Sequence, residues 1–469
     1  MFAERTNWDL TPNALSEALR ARRAAGKRIL DLTASNPTEC GFIYDGDAIL
    51  AALGNAKSLA YQPEPRGLLS AREAVCAYYA ERGDAVSPEN VLLTTSTSEA
   101  YSFVFRLLCN PGDEVLVPQP SYPLFDFLAD LQDVRLARYP LLYDHGWQID
   151  FHSLEQVISE RTRAIIVVHP NNPTGNFCRP QEIAQLHVLC AARGLTIIAD
   201  EVFLDYALEG PAPQSFVTNP GAIQHGGSNL GTTDSGATKA NANNSGVNNL
   251  GVNSTGASFG SGTPGGENSG ALTFTLSGIS KICGLPQMKA AWLAVSGPEP
   301  ARTEALNRLE VIADTYLSMN APIQHALPAL LALRAPLQSQ LQRRVRANLA
   351  ALDRLLQLQQ EAPGATKSSA RGKLEQGVEQ GPERGSVSRL RCAGGWYAVL
   401  TLPPQHSSET LALQLLTNDG VYVHPGHFYD FPAARHAVVS LITPAADFSA
   451  GVQALIAAAS AHPDWQSQP

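Results

Sequence analysis

The sequence predicts an α/β protein in two parts: a doubly wound, mostly parallel sheet with helices on both faces, then a smaller α+β unit. Three observations carry this expectation. Short apolar runs recur along the first part and are near-continuous rather than alternating, as strands covered on both faces require. These runs alternate with amphipathic helical patterns in the order β-α-β-α, which builds a parallel sheet. After Pro298 the pattern shifts to long helical segments followed by three short strands.

Taken in order, Val91–Leu93 is expected as a strand leading into an amphipathic run through Leu108. Glu114–Val117 follows, then a helical stretch from about Tyr122 to Leu131, then a strand at Val134–Tyr139. Ala164–Val168, Leu195–Ala199, Leu272–Leu276 and Ala291–Val295 complete the apolar runs of the large sheet. Ala301–Leu333 and Leu337–Gln360 read as helices, and strands are expected near Trp396–Leu402, Val421–His424 and Ala437–Ile442. The expected division is an N-terminal segment over 1–45 packing with the small domain, a large domain over 46–297, and a small C-terminal domain over 298–469. Two polar stretches interrupt it, at about 211–270 (Gly, Asn, Ser and Thr) and at about 361–388 (more charged). Each has too little apolar surface to offset its ordering entropy, so both are expected as disordered surface insertions.

The chain has 469 residues, enough for two domains sharing a substantial core, and its hydrophobic content of 44% is ordinary for a globular protein. The net charge of −9 is spread out, and no Lys/Arg-rich run points to nucleic acid or an anionic membrane. No apolar stretch approaches the roughly 18 residues of a membrane span, and the N-terminus lacks a signal-peptide core. The seven cysteines are odd in number and widely separated, with no Cys-x-x-Cys pair. That spacing argues for reduced thiols in a cytoplasm and against a disulfide framework or a zinc site.

In an open α/β sheet, ligands bind beyond the carboxyl ends of the strands, and here those ends carry polar residues of a matching kind. Leu272–Leu276 leads through Ser277-Gly278-Ile279-Ser280 to Lys281, with Gly284-Leu285-Pro286 beyond it. An amine held between a strand end and a Gly-Pro turn can be desolvated and made nucleophilic, as Schiff-base chemistry requires. Ala164–Val168 runs into His169-Pro170-Asn171-Asn172-Pro173-Thr174-Gly175, a rigid turn whose Asn172 amide can donate to an oxygen; by itself it also reads as an ordinary turn. Leu195–Ala199 ends in Asp200-Glu201, either a functional acid or a helix cap. Val91–Leu93 ends in hydroxyls over a helix start, Thr94 to Ser98, which suits a phosphate cradle or simple N-capping. Pro120-Ser121-Tyr122-Pro123 places an aromatic after another strand.

Together these motifs resemble the fold-type I pyridoxal-phosphate enzymes, specifically the class I/II aminotransferases, over nearly the whole chain outside the two insertions. The matching strings are NNPTG, ADEVF, SGISKICGLPQMK, Tyr61-Gln62-Pro63 with Gly67-Leu68, and Val423-His424-Pro425-Gly426. The resemblance implies an enzyme using pyridoxal 5′-phosphate to move an amino group from an α-amino acid to a 2-oxo acid. It implies that Lys281 forms the Schiff base and shuttles the proton, while Asp200 pairs with the pyridine nitrogen and keeps it protonated. Asn172 would donate to the ring's 3-oxygen and Tyr122 would stack on the ring. Ser96, Thr97, Ser280 and Lys289 would hold the phosphate. Tyr61 would reach it from a neighbouring subunit, which implies a homodimer.

Four positions depart from the family pattern. Phe203 stands where a tyrosine usually donates to the 3-oxygen, Lys289 replaces an arginine, and Ser96 replaces a glycine. Val438 holds the place of the arginine that clamps the substrate carboxylate. Candidates for that clamp are Arg389, Arg391, His427 and His436, with Asn36 as a further substrate contact; Asn36 and Arg391 are the two carried forward. The alternatives to transamination are a carbon–sulfur β-lyase or a decarboxylase on the same cofactor, and a non-catalytic cofactor-binding protein. Retention of Lys281, Asp200 and Asn172 together argues against the last.

Overall fold

The structure is a computed structural model and describes residues 1–218, 270–361 and 386–461. In chain order its strands are β1 (Leu30–Asp31), β2 (Val91–Thr94), β3 (Glu114–Gln119), β4 (Arg135–Tyr143), β5 (Trp147–Ile149), β6 (Thr162–Val168) and β7 (Thr196–Asp200). They continue with β8 (Thr273–Gly278), β9 (Ala291–Ser296), β10 (Ser388–Arg389), β11 (Tyr397–Thr401), β12 (Val421–Tyr422), β13 (His424–Pro425) and β14 (His436–Ser440).

The large sheet has eight strands in the order β2-β9-β8-β7-β6-β3-β4-β5. The run from β8 through β7, β6 and β3 to β4 is parallel, and β9 and β5 are the antiparallel members. The continuous apolar runs follow from burial on both faces. Along β6, Ala164, Ile166 and Val168 face the helix Thr97–Leu108, which buries Ala100, Tyr101, Val104 and Phe105 against them. Ile165 and Val167 face the other way, onto Ile183, Leu186 and Cys190 of the helix Pro180–Arg193. Strand alternation sends neighbouring residues to opposite cores, and burying each aliphatic side chain contributes about 1.5–3 kcal/mol. A third core, against β2 and β9, takes Val75 and Tyr79 from the helix Leu69–Ala80, together with Trp292 and Leu327.

A four-stranded antiparallel sheet, β10-β11-β14-β13, forms the second layer system. Leu341, Val345 and Leu352 of the helix Arg334–Glu361 pack on it, as do Phe448, Val452 and Leu455 of the helix Ala445–Ser460. The run Val421–His424, expected as one strand, is divided. Val421–Tyr422 pairs in parallel with Leu30–Asp31 of the N-terminal segment, and only His424–Pro425 joins the small sheet. The expected helix Ala301–Leu333 is likewise two helices, Ala301–Thr315 and Ala321–Ala332. The break falls where Leu317 is left-handed (φ 66°) and the Asn320 side chain caps the second helix through the Ile323 N–H.

Most of the two insertions lies outside the described residues, but their expected edges are corrected. Ser215, Phe216 and Val217 are buried, with the Ser215 hydroxyl donating to Glu201 Oε2 at 2.7 Å and the Phe216 N–H to Oε1 at 2.6 Å. A buried carboxylate draws these donors, so the folded body continues to Thr218. At the second insertion Val387 is buried and Ser388 already pairs with Thr401. No described helix is long and apolar enough to cross a membrane, and all seven cysteines are free thiols.

Candidate active site

Lys281 is presented by the helical turn Ile279–Ile282, which follows β8 directly. Ile279 and Ile282, three apart, anchor the turn in the core and leave Lys281 on a different face. Gly278 sits so close to β9 that a Cβ there would lie 2.9 Å from Ala291 Cβ, so a larger residue would displace the turn. The Lys281 Nζ lies 5.0 Å from the Trp396 ring centroid and 5.5 Å from that of Phe203. Burial lowers its pKa to about 8, partly opposed by the Asp200 carboxylate. An amine in this range is about one-tenth neutral at pH 7, roughly 300-fold more than an ordinary lysine, as a nucleophile and proton acceptor requires.

Asp200 is the last residue of β7, one position further into the strand than the sequence suggests. It is buried, and each carboxylate oxygen accepts one donor: the Val202 N–H at 3.1 Å on Oδ1 and the Tyr101 hydroxyl at 3.1 Å on Oδ2. Burial raises its pKa to about 6, while those two donors and Lys281 hold it from rising further. Asn172 is buried beyond β6, and its amide oxygen has no hydrogen-bond partner among the described residues. Tyr122, beyond β3, stays 38% exposed with its ring edge-on to Phe125.

At the start of the helix Thr97–Leu108, Ser96 is the N-cap and accepts the Glu99 N–H at 3.1 Å. Glu99 Oε2 accepts both the Thr95 N–H at 2.6 Å and its hydroxyl at 3.0 Å. The side chains of Thr97, Ser280 and Lys289 have no hydrogen-bond partner among the described residues, and Lys289 is exposed in a left-handed conformation (φ 52°). Tyr61 projects outward at 81% exposure. The ends of β2, β3, β6, β7 and β8 thus bring Thr97, Tyr122, Asn172, Asp200 and Lys281 to one edge of the large sheet.

The substrate candidates fare differently. Arg391 is corrected: its guanidinium pairs with Glu209 at 2.8 Å on the surface, beside His145 and Gly146. Arg389 pairs with Asp353 at 2.8 Å, and His436 packs on Phe431 with centroids 4.7 Å apart. His427 is exposed and packs on Phe428. The Asn36 side-chain oxygen is taken locally by the Thr38 N–H and hydroxyl. Sequence reasoning missed Tyr101, which reads as core between Ala100 and Phe103 and whose acceptor is 99 residues away. It also missed Trp396 and Tyr397, whose ring contacts with Phe203 come from the small sheet.

The family model for aminotransferase class I and II matches residues 27–440. The chain belongs to the class I and II aminotransferases. The alanine aminotransferase of Mycobacterium tuberculosis is 26% identical over 442 residues, covering 92% of this chain and 86% of that protein. The glutamate-pyruvate aminotransferase of Haemophilus influenzae is 26% identical over 329 residues, covering 70% of this chain and 69% of its own length. An alanine aminotransferase from Pyrococcus furiosus shares the fold, with a TM-score of 0.72 at 19% identity over 97% of this chain and 99% of that one. The chain is therefore an aminotransferase, acting on amino and oxo acids with pyridoxal phosphate as its cofactor. The site fits that group: a desolvated amine for covalent attachment, a buried carboxylate for a ring nitrogen, an unpartnered amide beside them, and free hydroxyls over a helix N-terminus.

Proposed function

We propose that Lys281 is the covalent attachment point for the cofactor and the base that moves the substrate's Cα proton. Asp200 holds the pyridine nitrogen protonated, and Asn172 donates to the ring's 3-oxygen. Tyr122 covers one ring face, and Ser96, Thr97, Ser280 and Lys289 hold the phosphate. What supports this reading is the half-buried, desolvated amine of Lys281 beyond the end of β8, beside the buried carboxylate at the end of β7. Pyridoxal phosphate, when bound, supplies an electron sink that makes the Cα proton acidic. This chain's residues then orient the substrate and carry that proton on Lys281 Nζ.

The named relatives make alanine, glutamate and pyruvate the first substrates to try. The exposure of Tyr61, at 81%, supports a homodimer in which that phenol reaches the phosphate of the neighbouring subunit. The free thiols support a cytoplasmic location. The reading also keeps the three-part division, with 1–45 lying against a small domain over 298–469 and the cofactor held by 46–297. Asn36 stays a substrate contact through its side-chain amide nitrogen, since its side-chain oxygen is engaged.

The test is a half-reaction. Loaded enzyme is mixed with single amino acids in the absence of an oxo acid, and the cofactor spectrum and products are followed. Conversion that stops at one equivalent per site is the expected result and names the donor. Continued product release with the starting spectrum restored would replace aminotransfer by elimination or decarboxylation.

A further inference from the structure

The site's amine side is well furnished, while the face opposite it lacks any evident partner for an anion. The register of the small sheet defines that face. Val438 pairs with Val399 on one side and with His424 on the other, and Tyr397 lies two residues along from Val399. Directly paired residues and those two apart share a face, so Tyr397, Val399, His424 and Val438 point the same way. Val438 is apolar and buried. The His424 Nδ1 lies 3.0 Å from the Tyr429 hydroxyl, and burial holds this imidazole at a pKa of about 4, with Asp31 opposing, so it is neutral at physiological pH.

Tyr397 differs from its neighbours. Its ring is buried at 9% exposure, while its hydroxyl has no hydrogen-bond partner among the described residues and is not one of the buried unpartnered atoms, so the oxygen stays open to an incoming acceptor. Tyr397 is joined to the lysine's surroundings through Phe203: its ring is 6.4 Å from that of Phe203, which in turn is 5.5 Å from Lys281 Nζ, and its sequence neighbour Trp396 is 5.0 Å from the same nitrogen. Tyr122 and Cys40 are the titratable groups that face it. Burial first, then those two neighbours, push its pKa well up, which keeps the proton on the oxygen and the phenol a donor. The competing groups of the small domain are engaged: Tyr429 with His424, Arg389 with Asp353 and Arg391 with Glu209.

We propose that Tyr397 receives the carboxylate end of the amino-acid substrate, so that this chain reads that anion with an uncharged phenol on a face that carries no guanidinium among the described residues. The proposal rests on the aminotransferase reading and adds the group that recognises the substrate. A carboxylate is acceptor-only, and a hydroxyl donating to an ionised acceptor makes one of the stronger hydrogen bonds.

The test compares wild type with Tyr397→Phe, which removes the oxygen and keeps the ring. Two half-reactions are followed, with L-alanine and with L-alaninamide, alongside the absorbance change on binding propionate, which has a carboxylate and no amine. The half-saturating concentration of L-alanine should rise about tenfold or more, with a smaller effect on the limiting rate, and propionate should weaken by a similar factor. L-Alaninamide should change less than about twofold, since it brings no ionised acceptor. Equal weakening of alanine and alaninamide would mean a merely structural role, and no weakening of either carboxylate would mean the anion binds elsewhere; each overturns the proposal. Loss of propionate affinity in a protein that converts no amino acid would leave carboxylate recognition standing and defeat the aminotransfer reading instead.

Discussion

The strand ends of the large sheet and the facing side of the small sheet are both built from buried and half-buried residues, yet they are chemically opposite. At the ends of β7 and β8 a carboxylate and an amine are held in the core, and the carboxylate has a donor on each oxygen. Across from them, on β11, β13 and β14, the inward side chains are Tyr397, Val399, His424 and Val438, none of them charged at neutral pH. The difference separates two tasks. Polarising a cofactor needs fixed charge in a low-dielectric place, whereas the facing side offers only neutral groups.

The contrast is broken most completely at Lys281. Lys281→Ala should abolish turnover and the absorbance of the covalently attached cofactor together, and survival of either in the purified variant would remove the residue from its proposed place. Asp200→Ala comes next. The fold should persist by circular dichroism, while the rate falls by roughly 10²–10³-fold, the loss expected when a preorganised charge is deleted from an active site. A near-normal rate would show that the large-sheet side is less electrostatic than its geometry implies.

The cofactor side was largely legible in the sequence, because each of its residues follows a continuous apolar run by a few positions. Local pattern placed Lys281, Asp200 and Asn172 at strand ends, while their roles came from the resemblance to the family. The division into a large parallel sheet and a smaller α+β unit was legible because the β-α-β-α alternation gives way after Pro298 to long helices followed by short strands. That the small sheet is antiparallel was not, since its central strands are buried on both faces and read as continuous apolar runs too. What stayed hidden depends on contacts between distant segments. Tyr101 lies on the apolar face of its helix and resembles its core neighbours; its hydrogen bond to Asp200 exists only because the helix packs across β7. Arg391 was one of several cations that could take the clamp's place once Val438 held the usual position, but Glu209, far away in sequence, pairs with it. Phe216 and Val217 were assigned to an insertion because their neighbours are polar, although Glu201 and the adjoining cores hold them.

Tyr101 gives a finer test of the charged side. Its hydroxyl favours the ionised form of Asp200, so Tyr101→Phe should raise the Asp200 pKa further above its already elevated value of about 6. The acid limb of cofactor binding to the unloaded enzyme should then move upward by as much as about one pH unit, the equivalent of one modest hydrogen bond. A titration of cofactor affinity between pH 5 and pH 8, at roughly half-unit steps, would detect the move. An unmoved limb would mean that the Val202 N–H and burial alone fix the carboxylate.

The smallest effect concerns pH and the amine. Burial brings Lys281 down from 10.5 to about 8, so the folded unloaded protein holds this proton less tightly than the unfolded chain does. Between about pH 8 and 10.5 the unfolded state therefore binds more protons, and this group's contribution to stability rises with pH across that window and falls as pH drops toward 8. The same shift governs covalent attachment, which requires the neutral amine. Attachment of pyridoxal phosphate to the unloaded enzyme, followed by stopped-flow absorbance, should accelerate about tenfold from pH 6 to 7 and level off above about 8. An ordinary exposed lysine would still be accelerating near pH 9.5. A rate that keeps climbing there would mean that the aromatic walls of Trp396 and Phe203 do not desolvate the amine, and the sharp chemical division between the two sheets would soften accordingly.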